Sequence, residues 1–365
     1  MRIAAARERK HDERRVAIVP DTVGRLSRLG VEVVLEHGAG AAAGFSDAAY
    51  AEQGATLTDL AALAPDLLLA IGPPPGEVLD TVRPGGLVVG LLGLATDDAI
   101  LEAVAKRGLG AIALELLPRT SRAQSMDVLS SQASLAGYKA VLVGANLLGR
   151  IMPLQMTAAG TLTPAQVLVL GAGVAGLQAI ATARRLGARV EAFDVRRAAR
   201  EEVESLGARF LEVPLDAAEG EGGYAAAQSE EYLERQRALL AERVAEADLV
   251  VTTAQIPFRQ APRLVSGAMV EAMRPGAVVV DLAADTGGNV EGSRPGEIVE
   301  TNGVRIVGAS NLAAELPTHA SQTFARNLAN LVELMVTDGE LHLDDELVRA
   351  TLVVDGGEIR WSRPA

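Results

Sequence analysis

The stretch Gln166-Val-Leu-Val-Leu170 leads directly into Gly171-Ala-Gly173-Val-Ala-Gly176, and the run Leu177–Leu186 follows. This order predicts a buried strand, a tight glycine turn and a helix. The first glycine permits the turn, the second lets the backbone approach a pyrophosphate, and the third lets the helix pack against the strand. Free N–H groups at the start of the helix favour bound phosphate. We therefore predict a Rossmann-type dinucleotide site at Gly171, Gly173, Val174 and Gly176.

The residue expected to select the nucleotide follows the next predicted strand. Arg189-Val-Glu-Ala-Phe193 ends at Asp194, whose carboxylate can accept hydrogen bonds from both ribose hydroxyls of adenosine. The same negative charge would repel the 2′-phosphate of NADP(H). Val195 follows, and the positive charges of Arg196 and Arg197 would soften that repulsion. The sequence predicts NAD(H) as the cofactor.

Short apolar strands alternate with helices on both sides of this motif, which indicates an α/β protein. A chain of 365 residues is long enough for two cores. The Pro-free segments Ser125–Arg150 and Ala320–Val336 each predict one long helix. We therefore expect two Rossmann-like doubly wound parallel-sheet domains joined by long helices, with a cleft between them. Residues 1-128 plus 320-365 are expected to form an N-terminal domain completed by the C-terminus, and residues 129-319 the NAD(H)-binding domain.

Composition excludes several classes of function. A net charge of −13 disfavours nucleic-acid binding, which needs basic residues to neutralise phosphates. With no cysteine, the chain can form no disulfide, no Cys-ligated zinc site and no thiol nucleophile. The four histidines have no ligand spacing, so we predict no metal site. The longest apolar runs, such as Gly85–Leu92, are too short to span a bilayer, and no direct membrane insertion is expected.

Four longer stretches carry a resemblance to a known family. They are Pro118–Val141, Gly222–Ala225, Thr252–Leu264 and Val278–Gly292, the first reading Pro-Arg-Thr-Ser-Arg-Ala-Gln-Ser-Met-Asp over its first ten residues. Together they resemble the NAD(H)-binding component, domain I, of proton-translocating NAD(P) transhydrogenase, in the family that also contains alanine dehydrogenase. The resemblance covers nearly the whole chain. Two departures are Gln255 and Phe258, which replace the family's usual Leu and Gly.

The resemblance implies a function that needs other proteins. The chain would pass hydride between NADH and NADP⁺ held by a partner subunit, and would be inactive without its partners. The implied partners are a second copy in a homodimer, an NADP(H)-binding subunit, and a membrane subunit that couples the reaction to proton translocation. The implied location is cytoplasmic, peripheral on the inner face of the plasma membrane through those subunits. In many members domain I continues into membrane helices, so the end at Ala365 is similar to that of the free-standing soluble subunit of a split transhydrogenase.

The resemblance also implies roles for individual residues. Gln124 would hydrogen-bond the nicotinamide ribose or the partner nucleotide, and Ser130 would hold the carboxamide. Arg119 and Asp127 would form a charge pair that orients the carboxamide and the loop. The alternative is that this pair only joins loop to helix and that Ser130 belongs to a helix cap. Tyr224 would close on bound nucleotide. The further cofactor contacts that the resemblance implies are Ser125, Met126, Gly223, Ala254 and Gln255.

Two other functions compete with this interpretation. Alanine dehydrogenases place a catalytic Lys and a catalytic His where this chain has Gly72 and Gly93. Glycine can neither polarise a substrate carbonyl nor relay a proton, which disfavours an NAD-dependent alanine or other amino-acid dehydrogenase. Arg15, which matches the arginine that binds the substrate carboxylate, is nevertheless retained. A non-catalytic NAD-binding module remains open.

Overall fold

A computed structural model describes residues 1–213 and 230–363. The chain divides into two compact units, Met1–Gln132 with Ala313–Ala365, and Ala133–Leu312. The boundaries expected from the sequence lie close by, at 128/129 and 319/320. Each unit contains its own large sheet and its own buried apolar core.

The described part of the chain contains helices and strands in alternation, as an α/β fold requires. The strands are β1 (Arg2–Ala5), β2 (Glu32–Glu36), β3 (Thr56–Thr58), β4 (Leu67–Leu69), β5 (Leu87–Gly90), β6 (Gly110–Ala113), β7 (Gln155–Thr157), β8 (Gly160–Leu162), β9 (Gln166–Leu170), β10 (Arg189–Phe193), β11 (Arg209–Phe210), β12 (Leu249–Thr252), β13 (Val278–Asp281), β14 (Ile298–Thr301), β15 (Val304–Gly308), β16 (Val336–Thr337), β17 (Glu340–Leu341), β18 (Leu352–Asp355) and β19 (Glu358–Ile359). The helices are α1 (Pro20–Ser27), α2 (Asp47–Glu52), α3 (Gly76–Leu79), α4 (Ala99–Ala105), α5 (Val128–Leu147), α6 (Val174–Arg185), α7 (Ala199–Ser205), α8 (Glu230–Glu246), α9 (Gly267–Glu271), α10 (Pro317–Met335) and α11 (Glu346–Thr351).

The first unit is built on an eight-stranded sheet of order β19-β18-β6-β5-β4-β1-β2-β3. The six strands from β6 to β3 pair in parallel, in the order of a doubly wound sheet. The C-terminal strands β18 and β19 extend it in antiparallel fashion beside β6. The C-terminal strands therefore belong to the first sheet and add an antiparallel edge to its doubly wound parallel part.

The second unit has a seven-stranded sheet of order β11-β10-β9-β12-β13-β15-β14. All its pairs are parallel except β14 with β15. In β9 the side chains of Val167 and Val169 enter the core on one face, and those of Leu168 and Leu170 enter the core on the other. A sheet covered on both faces explains why this strand is apolar at successive positions instead of alternating. The strand order reverses between β9 and β12, and folds of this kind bind nucleotides at the carboxyl ends of the strands at that point.

The two long helices begin at residues that satisfy their first turns. Helix α5 starts at Val128 because the Asp127 carboxylate accepts the backbone N–H of Ser130 at 2.9 Å. Helix α10 starts with Pro317, whose fixed φ and missing N–H suit a first helical position. Both helices are expected from the sequence, but α5 is shorter than the predicted Ser125–Arg150, because the residues before Asp127 form a separate 3₁₀ segment.

Candidate functional site

The glycine turn after β9 has the geometry that the fingerprint predicts. Gly171 has a φ of +102°, and a Cβ there would lie 2.6 Å from Thr253 Oγ1. A Cβ on Gly176 would lie 1.8 Å from the Gly171 carbonyl oxygen, so helix and strand approach too closely for any side chain. At Gly173, in contrast, an added Cβ meets nothing within 4 Å. The start of α6, at Val174, is thus open on the side where a pyrophosphate would bind.

Asp194 follows β10, and its carboxylate is held from both sides. Oδ2 accepts the N–H of Ala172 in the glycine turn at 2.8 Å, and Oδ1 accepts the N–H of Arg196 at 2.8 Å. The Arg196 guanidinium donates to both oxygens and to the Ala172 carbonyl. Burial alone would raise the pKa of Asp194, but the hydrogen bonds from Arg196 and from the backbone outweigh it and hold that pKa below its usual value. The carboxylate is ionised and its position is fixed relative to the glycine turn.

The loop after β12 is held by the buried amide of Asn289, which lies in the stretch Val278–Gly292 but was not itself among the predicted site residues. Asn289 is fully buried; its Oδ1 accepts the N–H of Ala254 at 3.0 Å, and its Nδ2 donates to the carbonyls of Ala254 and Pro262, each at 2.8 Å. Asp281, also fully buried, accepts the backbone N–H of Asn289 at 3.3 Å. Since the carboxyl ends of β9 and β12 lie side by side, this loop borders the glycine turn.

The remaining predicted contacts in this unit are more exposed. The amide of Gln255 donates to the Leu282 carbonyl at 3.0 Å, and Val195 is exposed. Phe258 has a φ of +60°, which explains why glycine suits this position in the family. The predicted contacts Gly223 and Tyr224 lie outside the described residues.

In the first unit, the 3₁₀ segment Ser121–Met126 presents Gln124 to solvent. Ser125 is also exposed, and its carbonyl accepts hydrogen bonds from two amides of α10. Met126 is only 7% exposed and packs in the core of this unit, so its side chain is unavailable to a nucleotide and only its backbone is a candidate contact.

The predicted charge pair between Arg119 and Asp127 is wrong. The Asp127 carboxylate accepts both the backbone N–H and the hydroxyl of Ser130, the latter at 2.6 Å. Arg119 is exposed and has no ion pair with any described residue. The N–H groups of a helix's first turn have no partner within the helix, and a local carboxylate satisfies them at lower cost than an exposed ion pair would. Asp127 therefore caps the start of α5, and its carboxylate hydrogen-bonds to Ser130 rather than to Arg119.

A second polar cluster lies near the amino terminus of the first unit. Arg15 is 8% exposed and donates to both oxygens of Glu13, at 2.6 and 2.7 Å, and to Gln132 Oε1 at 2.9 Å. The Arg15 guanidinium is thus already occupied by partners within the first unit. Nearby, Glu8 accepts the N–H of Ile71 at 2.7 Å. Burial raises the pKa of Glu8 to about 7, assisted by the Glu13 charge and opposed by backbone hydrogen bonds and Arg15.

Neither a metal centre nor a membrane span is present among the described residues. Residues 1–213 and 230–363 contain no group of three His, Cys, Asp or Glu side chains arranged to hold a metal ion. In the same residues, no helix combines the length and apolar character needed to cross a membrane.

Comparison with known proteins assigns the family. Residues 4–136 match the family described as alanine dehydrogenase/PNT, N-terminal domain, and residues 140–362 match alanine dehydrogenase/PNT, C-terminal domain. The chain belongs to the alanine dehydrogenase/transhydrogenase family. Within this family it is 45% identical to the first part of the NAD(P) transhydrogenase alpha subunit of Rhodospirillum rubrum, over 98% of this chain and 97% of that protein.

Structure and identity both place the chain nearer to the transhydrogenases of the family. The crystal structure of transhydrogenase from Sinorhizobium meliloti superposes with a TM-score of 0.91 at 44% identity, covering 98% of this chain and all of the other. Alanine dehydrogenase of Mycobacterium tuberculosis is 34% identical over 81% of this chain and 76% of its own length. The predicted family and fold class are therefore confirmed.

Proposed function

We propose that this chain is the NAD(H)-binding subunit of a proton-translocating transhydrogenase, passing hydride between its own NADH and NADP⁺ on a partner subunit. The observation that carries the proposal is the pairing of an intact NAD(H) site with an occupied amino-acid site. Gly173 is open and Asp194 is held ionised, whereas Gly72 and Gly93 lack catalytic side chains and Arg15 is paired with Glu13. This combination supports transfer of the hydride to a second cofactor rather than oxidation of an amino acid.

The residues present fit a bound dinucleotide. The start of α6 would hold the pyrophosphate, Asp194 would accept the adenosine ribose hydroxyls, and Ala254 and Gln255 would border the nicotinamide side. The bound dinucleotide supplies the hydride and needs no general base. The protein's contribution is placement, because the donor and acceptor carbons must come within about 3–3.5 Å of each other. In this proposal Gln124 hydrogen-bonds the nicotinamide ribose or the partner nucleotide, and Ser130, capped by Asp127, holds the carboxamide.

The proposal requires partners. The hairpin of β7 and β8 leaves Leu154, Met156 and Leu162 exposed, at 55%, 78% and 50%. Apolar residues clustered on an exposed hairpin are typical of a surface that another chain covers, and we assign this one to a homodimer. An NADP(H)-binding subunit and a membrane subunit complete the complex and would hold this chain at the inner face of the plasma membrane.

Reconstitution tests the function. The purified protein is mixed with NADH, NADP⁺ and the NADP(H)-binding component of its own transhydrogenase, and formation of NADPH is followed. We expect transfer in the mixture and none with either protein alone, because each chain presents one nucleotide. A mixture that binds both nucleotides but forms no NADPH would favour a non-catalytic NAD-binding module. Transfer by this chain alone would contradict the requirement for a partner.

A further inference from the structure

The segment Ser121–Met126 is tied down on both sides of Gln124. Ala123 and Met126 are buried in the core of the first unit, and Arg122 forms an ion pair with Asp345 at the start of α11. The Gln124 side chain, in contrast, is exposed and hydrogen-bonds to nothing in residues 1–213 and 230–363. The segment is therefore a fixed platform that presents one free amide.

This platform is also attached to α10 through the carbonyl of Ser125. Asn327 Nδ2 donates to it at 2.7 Å, and Asn330 Nδ2 donates to it at 2.5 Å. The two asparagines are three residues apart in α10 and so share one face of that helix. Because the Ser125 carbonyl accepts hydrogen bonds from two side-chain amides, both its position and its orientation relative to α10 are fixed.

The orientation of the second amide is itself determined. Arg25 in α1 donates from Nη2 to Asn330 Oδ1 at 2.6 Å and also pairs with Glu333. A guanidinium can only donate, so it requires the oxygen of Asn330 on its own side and leaves the NH₂ group facing Ser125. Arg25 of α1 therefore fixes which end of the Asn330 amide faces the Ser125 carbonyl.

The side-chain amide of Asn327 includes an oxygen that destabilises the folded state. Asn327 Oδ1 is buried and has no hydrogen-bond partner among the described residues. A buried acceptor without a partner destabilises the folded state, and an apolar side chain of similar size would avoid this cost. The hydrogen bond that Asn327 donates to the Ser125 carbonyl, which no apolar side chain could supply, accounts for an asparagine at this position.

We propose that Asn327 and Asn330 are positioning residues for hydride transfer: they fix the backbone at Ser125 and thereby the direction in which Gln124 is presented. This inference rests on the function proposed above. Neither asparagine contacts the nucleotide in this account; each acts through the platform. Misplacement of a reacting group by about 1 Å is enough to lower a transfer rate by roughly 100-fold.

Two variants separate the contacts. Asn327→Leu removes one donor and the orphaned acceptor, and Asn330→Asp keeps the acceptor for Arg25 but turns oxygen toward the Ser125 carbonyl. Gln322→Ala, which removes an amide from the same helix, is the matched control. In single-turnover measurements with the NADP(H)-binding component, we expect a loss of about 10- to 100-fold in the transfer rate of each variant. NADH affinity should stay within about twofold, and the control should match the wild type.

A double-mutant cycle shows whether the asparagines act through Gln124. In a Gln124→Ala background, Asn327→Leu and Asn330→Asp should have no further effect on the transfer rate, because the group they position is gone. An undiminished loss in that background would overturn the proposal. Equal losses in rate and in NADH affinity would overturn it too, since they would show a general disturbance of binding.

Amide hydrogen exchange without nucleotide or partner tests the anchoring separately from catalysis. Residues 121–126 should exchange at least about 10-fold faster in both variants than in the wild type, while exchange in the strands of the first sheet is unchanged. Unchanged exchange in the segment would overturn the proposal whatever the kinetics. Faster exchange in the variants together with no transfer by the wild type would instead overturn the proposed function, and the positioning role with it.

Discussion

The guanidinium of Arg196 donates to both carboxylate oxygens of Asp194, from Nε to Oδ1 at 3.0 Å and from Nη2 to Oδ2 at 3.1 Å. The side chain of Asp194 is 8% exposed and that of Arg196 is 60% exposed. The carboxylate is thus fixed at the glycine turn, while the arginine lies at the surface and can yield its hydrogen bonds to ribose hydroxyls. In the proposed function this pair would determine how strongly the site rejects the 2′-phosphate of NADP(H).

Nucleotide selectivity should respond in opposite directions to these two residues. NADH should bind much more tightly than NADPH; Asp194→Ala should narrow the difference by about 10- to 100-fold, since a hydrogen bond to a charged group contributes roughly 1.5–3 kcal/mol. Arg196→Ala should widen it by up to about fivefold, because an exposed ion pair contributes roughly 0.2–1 kcal/mol. Calorimetric titration of both nucleotides measures these ratios. Equal NADH and NADPH affinities in the wild type would refute the role of Asp194.

Amino-acid oxidation should be absent. Given alanine and NAD⁺, the protein should form no pyruvate, because Gly72 and Gly93 provide neither a general base nor a group to polarise the carbonyl. The Arg15 guanidinium is paired with Glu13 and is therefore not available to a substrate carboxylate. A coupled assay for pyruvate, with an authentic alanine dehydrogenase as positive control, decides the matter. Turnover near that of the control would remove the distinction from the alanine dehydrogenases.

Glu8 should make the stability of the first unit depend on pH. Its pKa rises from 4.5 to about 7 on folding, so the folded protein holds this proton more tightly than the unfolded chain. The resulting stabilisation is fully present below about pH 4.5 and is lost as pH rises through about 7. We expect Glu8→Gln to lack this loss. Relative to that of the wild type, its free energy of unfolding should rise by up to about 3 kcal/mol between pH 4.5 and 8.

Denaturant unfolding at several pH values measures the effect. Glu52→Gln, a change at an exposed residue of α2, serves as the control and should follow the wild type throughout. A Glu8→Gln variant whose stability remains parallel to that of the wild type across this range would contradict the raised pKa of the buried Glu8 carboxyl.

Phe258 should store backbone strain. A φ of +60° costs an ordinary residue about 1–2 kcal/mol, and glycine escapes this cost. Because Phe258→Gly and Phe258→Ala lose the same aromatic ring, the comparison between them isolates the backbone. The glycine variant should be more stable than the alanine variant by about 1 kcal/mol in thermal or denaturant unfolding. An alanine variant that is equally stable would indicate that the backbone relaxes there without cost.

Short-range sequence patterns are sufficient to predict the strand and turn of the proposed nucleotide site. Strand β9 has its predicted bounds, Gln166–Leu170, and the turn at Gly171 follows from the spacing of glycines alone. The Asp345 side chain accepts the N–H of Leu347 at 2.9 Å and begins α11, as is typical of an aspartate at a helix N-cap. Such features depend on neighbours within a few residues, so the sequence alone predicts them.

Two antiparallel hairpins have a local sequence signal in their turns. Strands β14 and β15 are joined by Asn302-Gly303, and β16 and β17 by Asp338-Gly339, with positive φ at all four residues. Such pairs favour the tight turns of hairpins. Strands β14, β16 and β17 are short and partly exposed, and therefore lack a clear apolar pattern, whereas the buried β15 was expected as a strand at Arg305–Val307. The antiparallel edge formed by β14 could have been anticipated from these turns.

The attachments of the catalytic candidates were not predictable in the same way. The contacts of Asn327 and Asn330 to Ser125 join residues more than 200 positions apart, and nothing in the local sequence at either end specifies them. The role of Asp127 was mistaken because a carboxylate near an arginine can form an ion pair or a helix cap. The choice depends on where α5 begins, and helix ends are the least certain part of a sequence-based prediction.

The central claim is that hydride passes directly from NADH on this chain to NADP⁺ on a second protein. The most direct test uses NADH carrying two deuterium atoms at nicotinamide C4, mixed with this protein, its NADP(H)-binding component and NADP⁺ in ordinary water. We predict that the NADPH formed carries one deuterium at C4, detected by mass spectrometry or NMR, and that omission of either protein abolishes the product. NADPH that carries hydrogen from solvent, or labelled NADPH formed by one protein alone, would contradict the account.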